Sequence, residues 1–370
     1  MNAQKSYSTW AEIDLDAITN NVKLIRERSN AQVMAVVKAN AYGHGLIKAA
    51  QAALRGGASW LSVARIEEAE ALRDGGVRGP VLVMGYLPSE KIGTAIDQDI
   101  SITLWNLEQV KNVSSAAKKT GKKAKIHLKV DSGMSRLGTQ PENVLNLVRY
   151  IDQQSDIFFE GIFTHYARAD EEDQTPTEEQ EQVFKSTVNS LYEAGLKPPI
   201  VHAANSAATL KRSSAHFNMV RPGIAIYGLQ PSPETQLPRD FLPAMNWKTL
   251  LSQVKTLPPG RGVSYGHEYI TQKEERIGTL PVGYADGFRR IPSNMVLIGG
   301  KTVPVIGRVC MDQVCVQLDE VPLVKEGDEV VIIGSQGDGK ITAEQVAERW
   351  GTINYEVVCG VSARVPRIYF

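Results

Sequence analysis

The chain alternates short apolar runs with longer helical patterns, and this rhythm predicts its architecture. Positions 33–37 are uninterrupted apolar residues, as in a strand that is buried on both faces. The run ends at Lys38, Asn40 and two glycines then break it, and a helical pattern begins at Leu46. Similar runs follow, and the predicted strands are 33–38, 60–63, 81–84, 101–104, 125–130, 158–163, 200–202 and 219–221.

Eight predicted strands that alternate with helices in roughly 200 residues favour a (β/α)8 barrel. A doubly wound open sheet has the same local rhythm and is the alternative. Prolines cluster after Gln230, and beyond them β-type runs dominate, among them 250–257 as one strand, with one helix at 343–350. We therefore predict a barrel domain at 10–235 and a β-rich domain at 236–370. The segment 10–15 alternates weakly and could pair with the second domain instead of the first.

Composition argues against several functional classes. The 41 basic residues balance the 41 acidic ones, so no net charge favours nucleic acid or an anionic membrane. No run approaches the ~18 apolar residues that span a bilayer, and residues 1–9 lack the apolar core of a secretion signal. The three cysteines lack metal-ligand spacing. We expect a cytoplasmic protein without a membrane segment, a metal site or disulfides.

Polar residues collect where the predicted barrel strands end, and these ends would meet at one mouth. They are Lys38, Lys129 with Arg136 beyond it, His165, His202 and Arg221. Each alone could be structural. Together, a partly desolvated lysine, which is a candidate nucleophile or base, and several cations indicate an anionic ligand. Metal-dependent hydrolysis needs a cluster of His, Asp and Glu ligands that is not evident.

Two stretches could hold a phosphate group. One is Asn205-Ser206, where a hydroxyl opens a short helix, and the other is Gly223-Ile224, which follows the last strand. Phosphate sites after the seventh and eighth strands are common in this barrel. A lysine with a phosphate site indicates either pyridoxal 5′-phosphate (PLP) or an aldolase that forms a Schiff base with a phosphosugar.

Nine segments, in order, resemble the bacterial alanine racemase family. In the first domain they are AVVKANAYGHG (35–45), KVDSGMSRLG (129–138), THY (164–166), HAANS (202–206) and MVRPGI (219–224). In the second domain they are VSYG (263–266), VGYADG (282–287), GRVCMDQ (307–313) and INYE (353–356). A single motif would be weak, but the ordered set spans nearly the whole chain.

The resemblance implies a PLP-dependent enzyme that interconverts L- and D-alanine and supplies D-alanine for cell-wall peptidoglycan. It implies a head-to-tail homodimer whose active sites each combine one subunit's barrel with the partner's β-domain. Lys38 would carry PLP as a Schiff base, and Lys38 and Tyr265 would be the two acid/base groups on opposite faces of the cofactor. His165 would support Tyr265. Arg221, backed by His202, would contact the pyridine nitrogen.

The resemblance also assigns substrate and phosphate contacts. Arg136 would orient the substrate carboxylate, near Met311, Asp312 and Tyr284, and Lys129 is a position that family members often carbamylate with CO2. The phosphate contacts would be Tyr42, Asn205, Ser206, Gly223, Ile224 and Tyr355, although Tyr355 could instead be a buried aromatic before a strand.

Three alternative functions follow from the same residues. A serine or broad-specificity amino-acid racemase is the nearest of them. A basic-amino-acid decarboxylase of the same barrel fold should have glutamate where this chain has Arg221. A non-catalytic PLP-binding module should resemble the barrel alone.

Overall fold

The computed structural model describes residues 6–370, and it divides into two compact units. Residues 1–5, part of the polar N-terminus considered above, lie outside the described residues. One unit holds residues 16–41 and 46–242, and the other holds 6–15, 42–45 and 243–370. Among residues 6–370, no helix combines the length and apolarity needed to cross a membrane.

The strands are β1 (Thr9–Ile13), β2 (Gln32–Val36), β3 (Trp60–Val63), β4 (Val81–Val83), β5 (Ser101–Leu104), β6 (Ala124–Lys129), β7 (Ile157–Phe163), β8 (Ile200–His202), β9 (Met219–Val220), β10 (Met245–Leu250), β11 (Gln253–Leu257), β12 (Gly262–Val263), β13 (Tyr269–Ile270), β14 (Glu275–Leu280), β15 (Met295–Ile298), β16 (Lys301–Ile306), β17 (Val314–Gln317), β18 (Glu329–Gln336), β19 (Gly339–Ile341) and β20 (Arg367–Tyr369).

The right-handed α-helices are α1 (Leu15–Ser29), α2 (Leu46–Arg55), α3 (Ile66–Asp74), α4 (Ile92–Asp97), α5 (Leu107–Thr120), α6 (Pro141–Asp152), α7 (Thr175–Glu193), α8 (Ser206–Lys211), α9 (Ala343–Trp350) and α10 (Asn354–Gly360).

The first unit is a closed barrel of eight parallel strands, β2 to β9. It closes where β2 pairs with β9, with Val33 opposite Val220. Apolar residues of five strands form a cluster in its core, namely Met34, Trp60, Leu82, Ile200 and Met219. An apolar run such as 33–37 is unbroken because helices cover the outer face of such a barrel and side chains fill its interior. The barrel prediction is therefore confirmed, and the open sheet is excluded.

The second unit is β-rich, as predicted, and is built on one large sheet. The order along the sheet is β11-β14-β17-β16-β15-β18-β10-β1-β20, and β12 and β13 form a separate ribbon. The N-terminal strand β1 pairs antiparallel with β10 and parallel with β20. This segment therefore lies within the C-terminal sheet, between β10 and the edge strand β20, and all five of its residues are buried.

One predicted element of this unit is wrong, and the alternative interpretation of Tyr355 is excluded. The stretch 250–257 is not one strand, because the chain turns at Leu251, whose buried side chain and N–H bond to Asp328 separate β10 from β11. These strands then pair with different partners. Tyr355 does not precede a strand but lies in the helix α10. Val357 and Val358 make this seven-residue helix resemble a short strand in sequence.

Candidate active site

The mouth of the barrel brings four of the predicted residues together around a fifth, His165. Burial lowers the pKa of this histidine well below its usual range, and the positive charges of four neighbours lower it further. In order of effect, the four neighbours are Arg221, Lys129, Arg136 and Lys38. They converge because each lies at or beyond the carboxyl end of a parallel strand, β9, β6, β6 and β2 respectively. His165 is therefore neutral at neutral pH and is surrounded by cations.

Lys38 is followed by a left-handed turn. Ala39, Asn40, Ala41 and Tyr42 have φ angles of 53°, 53°, 54° and 52°, a region that residues other than glycine rarely occupy consecutively. Within the turn, Ala41 N–H donates to the carbonyl of Val37 at 2.9 Å. Such strain persists only where the surroundings impose it, and it concentrates at functional sites.

Glu68 holds this turn in place from the neighbouring helix α3. Its Oε1 accepts from the backbone N–H of Ala39 at 2.5 Å, and its Oε2 accepts from Ala64 and Arg65 at 2.9 and 3.1 Å. On the other side of the turn, the Asn40 side chain accepts from Leu46 N–H at 2.8 Å. The direction in which the backbone leaves Lys38 is thus set by a carboxylate 30 residues away in the chain.

Lys129 is a buried lysine with a lowered pKa. Burial, followed by the charges of Arg221 and Arg136, brings its pKa to about 7. Its Nζ lies 5.0 Å from the ring centroid of Phe163. A substantial fraction of the amine is therefore neutral, and nucleophilic, at neutral pH.

Arg221 is buried, and its contacts in the barrel are with neutral groups. Its Nη1 donates to Nδ1 of His202 at 3.0 Å, and its Nη2 donates to the carbonyls of Thr164 and Ala203 at 2.7 and 3.0 Å. Nη2 also lies 3.4 Å from Nδ1 of His165. Burial lowers the pKa of Arg221 to about 10, which leaves the guanidinium charged at neutral pH.

The two predicted phosphate stretches are joined by a side-chain hydroxyl. Ser206 Oγ accepts from the backbone N–H groups of Gly223 and Ala225 at 2.9 and 3.3 Å. The N-cap of α8 is Asn205 rather than the serine. Ile224 begins a 3-10 turn, so that its N–H precedes the first hydrogen bond within the turn. The structure therefore brings Asn205, Ser206, Gly223 and Ile224 together beside the last two strands.

The remaining predicted residues lie in the second unit, where two loops present Tyr284, Met311 and Asp312. The loops are joined by hydrogen bonds from Tyr284 N–H to Cys310 O at 3.1 Å and from Ala285 N–H to Met311 O at 3.0 Å. Tyr284 and Met311 are 45% and 53% exposed, so each loop presents a large apolar side chain to solvent.

Arg364 connects the same two loops through ion pairs. Its Nη2 lies 2.8 Å from Asp312, and its Nε lies 3.0 Å from the buried Asp286. Asp286 in turn accepts from Gly283 N–H at 2.8 Å, which fixes the turn that carries Tyr284.

Three tyrosines of this unit were also predicted as site residues. Tyr265 lies on a 3-10 turn and is 72% exposed. The rings of Tyr42 and Tyr355 are tilted, with their centroids 6.0 Å apart. Burial, reinforced by Tyr355, raises the pKa of Tyr42, which therefore remains a protonated hydrogen-bond donor.

Comparison with known proteins identifies the family. The model for "Alanine racemase, N-terminal domain" matches residues 13–231, and that for "Alanine racemase, C-terminal domain" matches residues 244–369. The chain belongs to the alanine racemase family. The predicted family is therefore confirmed. The chain carries both domains of this enzyme family.

The similarity to known alanine racemases covers nearly the whole chain. One from Methanococcus maripaludis is 48% identical over 369 residues, which cover 98% of this chain and 99% of the relative. A crystal structure of alanine racemase from Streptomyces lavendulae has a TM-score of 0.94 at 40% identity and covers 98% of this chain and 97% of its own. The Bacillus anthracis enzyme with bound L-Ala-P has a TM-score of 0.93 at 41% identity, covering 98% and 95% of the two chains.

Two residues that contact the site were missed in the sequence. Glu68 resembles any acidic residue in the first turn of a helix, and nothing local indicates its bond to Ala39. His127 lies inside β6, with its Nδ1 2.9 Å from Nε2 of His202. Strand alternation could have indicated it, since residues two apart, here His127 and Lys129, point to the same side.

Proposed function

We propose that this alanine racemase family member interconverts L- and D-alanine with PLP bound at the barrel mouth. The observation that carries the proposal is the set of cations around His165, which includes Lys38 on its strained turn and the charged Arg221. The cofactor carries an anionic phosphate and the substrate carries a carboxylate, and the reaction needs an amine that can form a Schiff base or exchange a proton.

The residues of the barrel fit PLP by their chemistry. Lys38 supplies the amine. The backbone N–H at the start of the turn, at Ile224, lies beside Ser206 and can donate to a phosphate group. We assign phosphate contacts to Asn205, Ser206, Gly223 and Ile224. Tyr42 and Tyr355 are assigned to the same group from the resemblance.

When bound, PLP withdraws electrons from the amino acid and makes its α-proton acidic. In the proposed reaction Lys38 accepts or returns this proton on one face, and the partner's Tyr265 does so on the other. His165 is held neutral by its surroundings, so it can accept a hydrogen bond without adding a competing charge. Two groups on opposite faces are required because inversion returns the proton to the face opposite the one it left.

Arg221 contacts the pyridine nitrogen in this proposal. A guanidinium remains protonated and can only donate, so the nitrogen stays unprotonated and withdraws electrons less strongly. A cofactor held in this way by Arg221 would favour return of the proton over transamination. A decarboxylase with glutamate at this position would do the opposite, so the charged Arg221 favours a racemase.

Arg136 orients the substrate carboxylate, with Met311, Asp312 and Tyr284 of the partner subunit lining the approach. We propose that Lys129 is carbamylated by CO2. Its pKa of about 7 leaves a reactive neutral amine, and the carbamate would place an anion beside Arg136 in place of a second cation.

The proposal includes a homodimer and a biological role. Tyr265, Tyr284 and Met311 are exposed in the β-rich unit, and a head-to-tail dimer would place them over the partner's barrel. We assign the protein to the cytoplasm, where it would supply D-alanine for peptidoglycan.

The test is chiral analysis of each pure alanine enantiomer after incubation with the PLP-loaded protein. Both should converge on the racemic mixture, and Lys38→Ala should abolish conversion and the near-visible absorbance of the Schiff base. A band that survives in Lys38→Ala would exclude Lys38 as the anchor. Release of CO2 from a basic amino acid, without racemisation, would favour the decarboxylase.

A further inference from the structure

A line of buried polar side chains runs from Arg221 into the barrel core. Arg221 Nη1 donates to His202 Nδ1 at 3.0 Å, and His202 Nε2 lies 2.9 Å from His127 Nδ1. His127 Nε2 faces Oε2 of Glu160 at 3.4 Å, a contact outside hydrogen-bond geometry, and it makes no hydrogen bond within residues 6–370. The same Oε2 accepts from Ser101 Oγ at 2.5 Å. All five side chains are buried.

The arginine end decides which way every hydrogen bond in this line points. A guanidinium has no acceptor, so His202 Nδ1 must accept and its Nε2 must carry the proton. His202 therefore donates to His127 Nδ1, and His127 must carry its own proton on Nε2. Burial lowers the pKa of both histidines, which keeps them neutral as this requires. The line then ends on an acceptor, and the group that stands there is the Glu160 carboxylate.

The residues around this line of side chains fix the positions of both histidine rings. A Cβ at Gly161 would lie 2.4 Å from His127 Nδ1, so only glycine fits opposite the ring. Trp60 packs edge-on against His127 with centroids 5.4 Å apart, and Phe163 stacks on His202 at 4.8 Å. Both rings are thus held in place by packing, and the alignment of their nitrogens is part of the fold.

We propose that Glu160 is a positioning residue for Arg221: it is the terminal acceptor of a line whose direction Arg221 sets, and it holds the two neutral histidine rings in that arrangement. With Glu160 in place, His202 presents an unprotonated Nδ1 to Arg221 and holds the guanidinium in one orientation. The tautomers follow from the contacts alone, and their effect on the rate rests on the proposed function.

The first experiment measures tautomers directly in the wild-type holoenzyme. Nitrogen NMR of 15N-histidine-labelled protein, assigned by single substitutions, should show both His127 and His202 protonated at Nε2 and unprotonated at Nδ1. The Nε2 proton of His127 should be protected from solvent exchange. A protonated Nδ1 on either ring, or a charged imidazolium, overturns the proposal, and this result does not depend on any variant folding.

The second experiment compares two replacements of Glu160. Glu160→Gln keeps an oxygen acceptor, so it should keep both tautomers and a kcat within about threefold of wild type. Glu160→Met keeps the length but removes the acceptor, so it should lower kcat at least about tenfold with a KM for alanine within about threefold. It should also expose the His127 Nε2 proton to exchange. Ser101→Ala, which removes the other donor to Glu160, is the control and should retain both tautomers.

A Glu160→Met enzyme with wild-type kcat, or a Glu160→Gln enzyme as slow as Glu160→Met, overturns the positioning role. Racemisation by the wild-type protein is measured separately. Its absence would count against the proposed function, but it would not change the conclusion about the tautomers, which the NMR experiment tests on its own.

Discussion

Glu68→Ala tests whether the left-handed turn after Lys38 is held in place by a distant carboxylate. The substitution removes the acceptor for three backbone N–H groups, those of Ala39, Ala64 and Arg65. Two of these bonds cap the start of α3, and the third is the one that reaches the strained turn.

The magnitude follows from the number and exposure of these bonds. The bond to Ala39 is one hydrogen bond to a charged group, and such bonds contribute about 1.5–3 kcal/mol. Because Glu68 is half-buried, solvent screens its charge and the lower end of this range applies. The bonds to Ala64 and Arg65 are counted together as the helix cap. Loss of a helix cap costs about 1 kcal/mol. We expect the free energy of unfolding to fall by about 2–3 kcal/mol in total.

The effect on activity should be larger than the effect on stability. Four consecutive left-handed residues disfavour the turn by ~1–2 kcal/mol each, so losing the bond to Ala39 lets the backbone relax and move Lys38. Displacement of a reacting group by about 1 Å can cost on the order of 100-fold in rate. We expect kcat/KM to fall by a factor between about 10 and about 100. The near-visible absorbance of the Schiff base should also weaken.

Urea denaturation, the absorbance spectrum and racemisation kinetics check the three expectations. Glu67→Ala, at the adjacent exposed position of the same helix turn, is the matched control and should behave as wild type. A Glu68→Ala protein that loses stability but keeps full activity and absorbance would refute the claim that this carboxylate positions Lys38.

Further predictions concern Lys129, Gly161 and Arg364. The carbamate on Lys129 should give a carbonyl signal with 13C-labelled CO2 that is stronger at pH 8 than at pH 6, and no signal at pH 8 would contradict it. Without the carbamate, the pKa of Lys129 drops from 10.5 to about 7 on folding, so the unfolded chain binds more protons between these pH values and unfolding free energy should rise with pH there. Gly161→Ala should displace His127, since its Cβ would lie 2.4 Å from the ring, and urea denaturation should show a loss of about 1–3 kcal/mol; an unchanged midpoint would contradict this. Arg364→Met removes the 2.8 Å ion pair to Asp312 and should raise the KM for alanine more than it lowers kcat, whereas equal changes in both would argue against a binding role.

The barrel could be predicted because each strand and helix leaves a pattern within a short window of sequence. The strands contain short apolar runs, although β6 and β7 also include His127 and Glu160. The count of eight strands favours a closed barrel. The segment 200–202 was predicted with the observed bounds of β8. The polar residues at the strand ends followed for the same reason, since parallel strands point their carboxyl ends at one mouth.

The connections between site residues could not be predicted because they are non-local. The residues Ala39 to Ala41 favour an ordinary right-handed helix by propensity, and only contacts such as the one from Glu68 stabilise the left-handed turn. Ser206 was expected to open a helix, but its hydroxyl is bonded to the backbone after β9. Such pairings depend on the closed barrel, which a window of sequence does not contain.

The central claim is that Lys38 and the partner's Tyr265 exchange the α-proton from opposite faces. Its most direct test is single-turnover exchange in deuterated water, started from each pure alanine enantiomer with Tyr265→Ala. We expect proton abstraction to be crippled for one enantiomer and much less affected for the other. An equal effect on both enantiomers would contradict it.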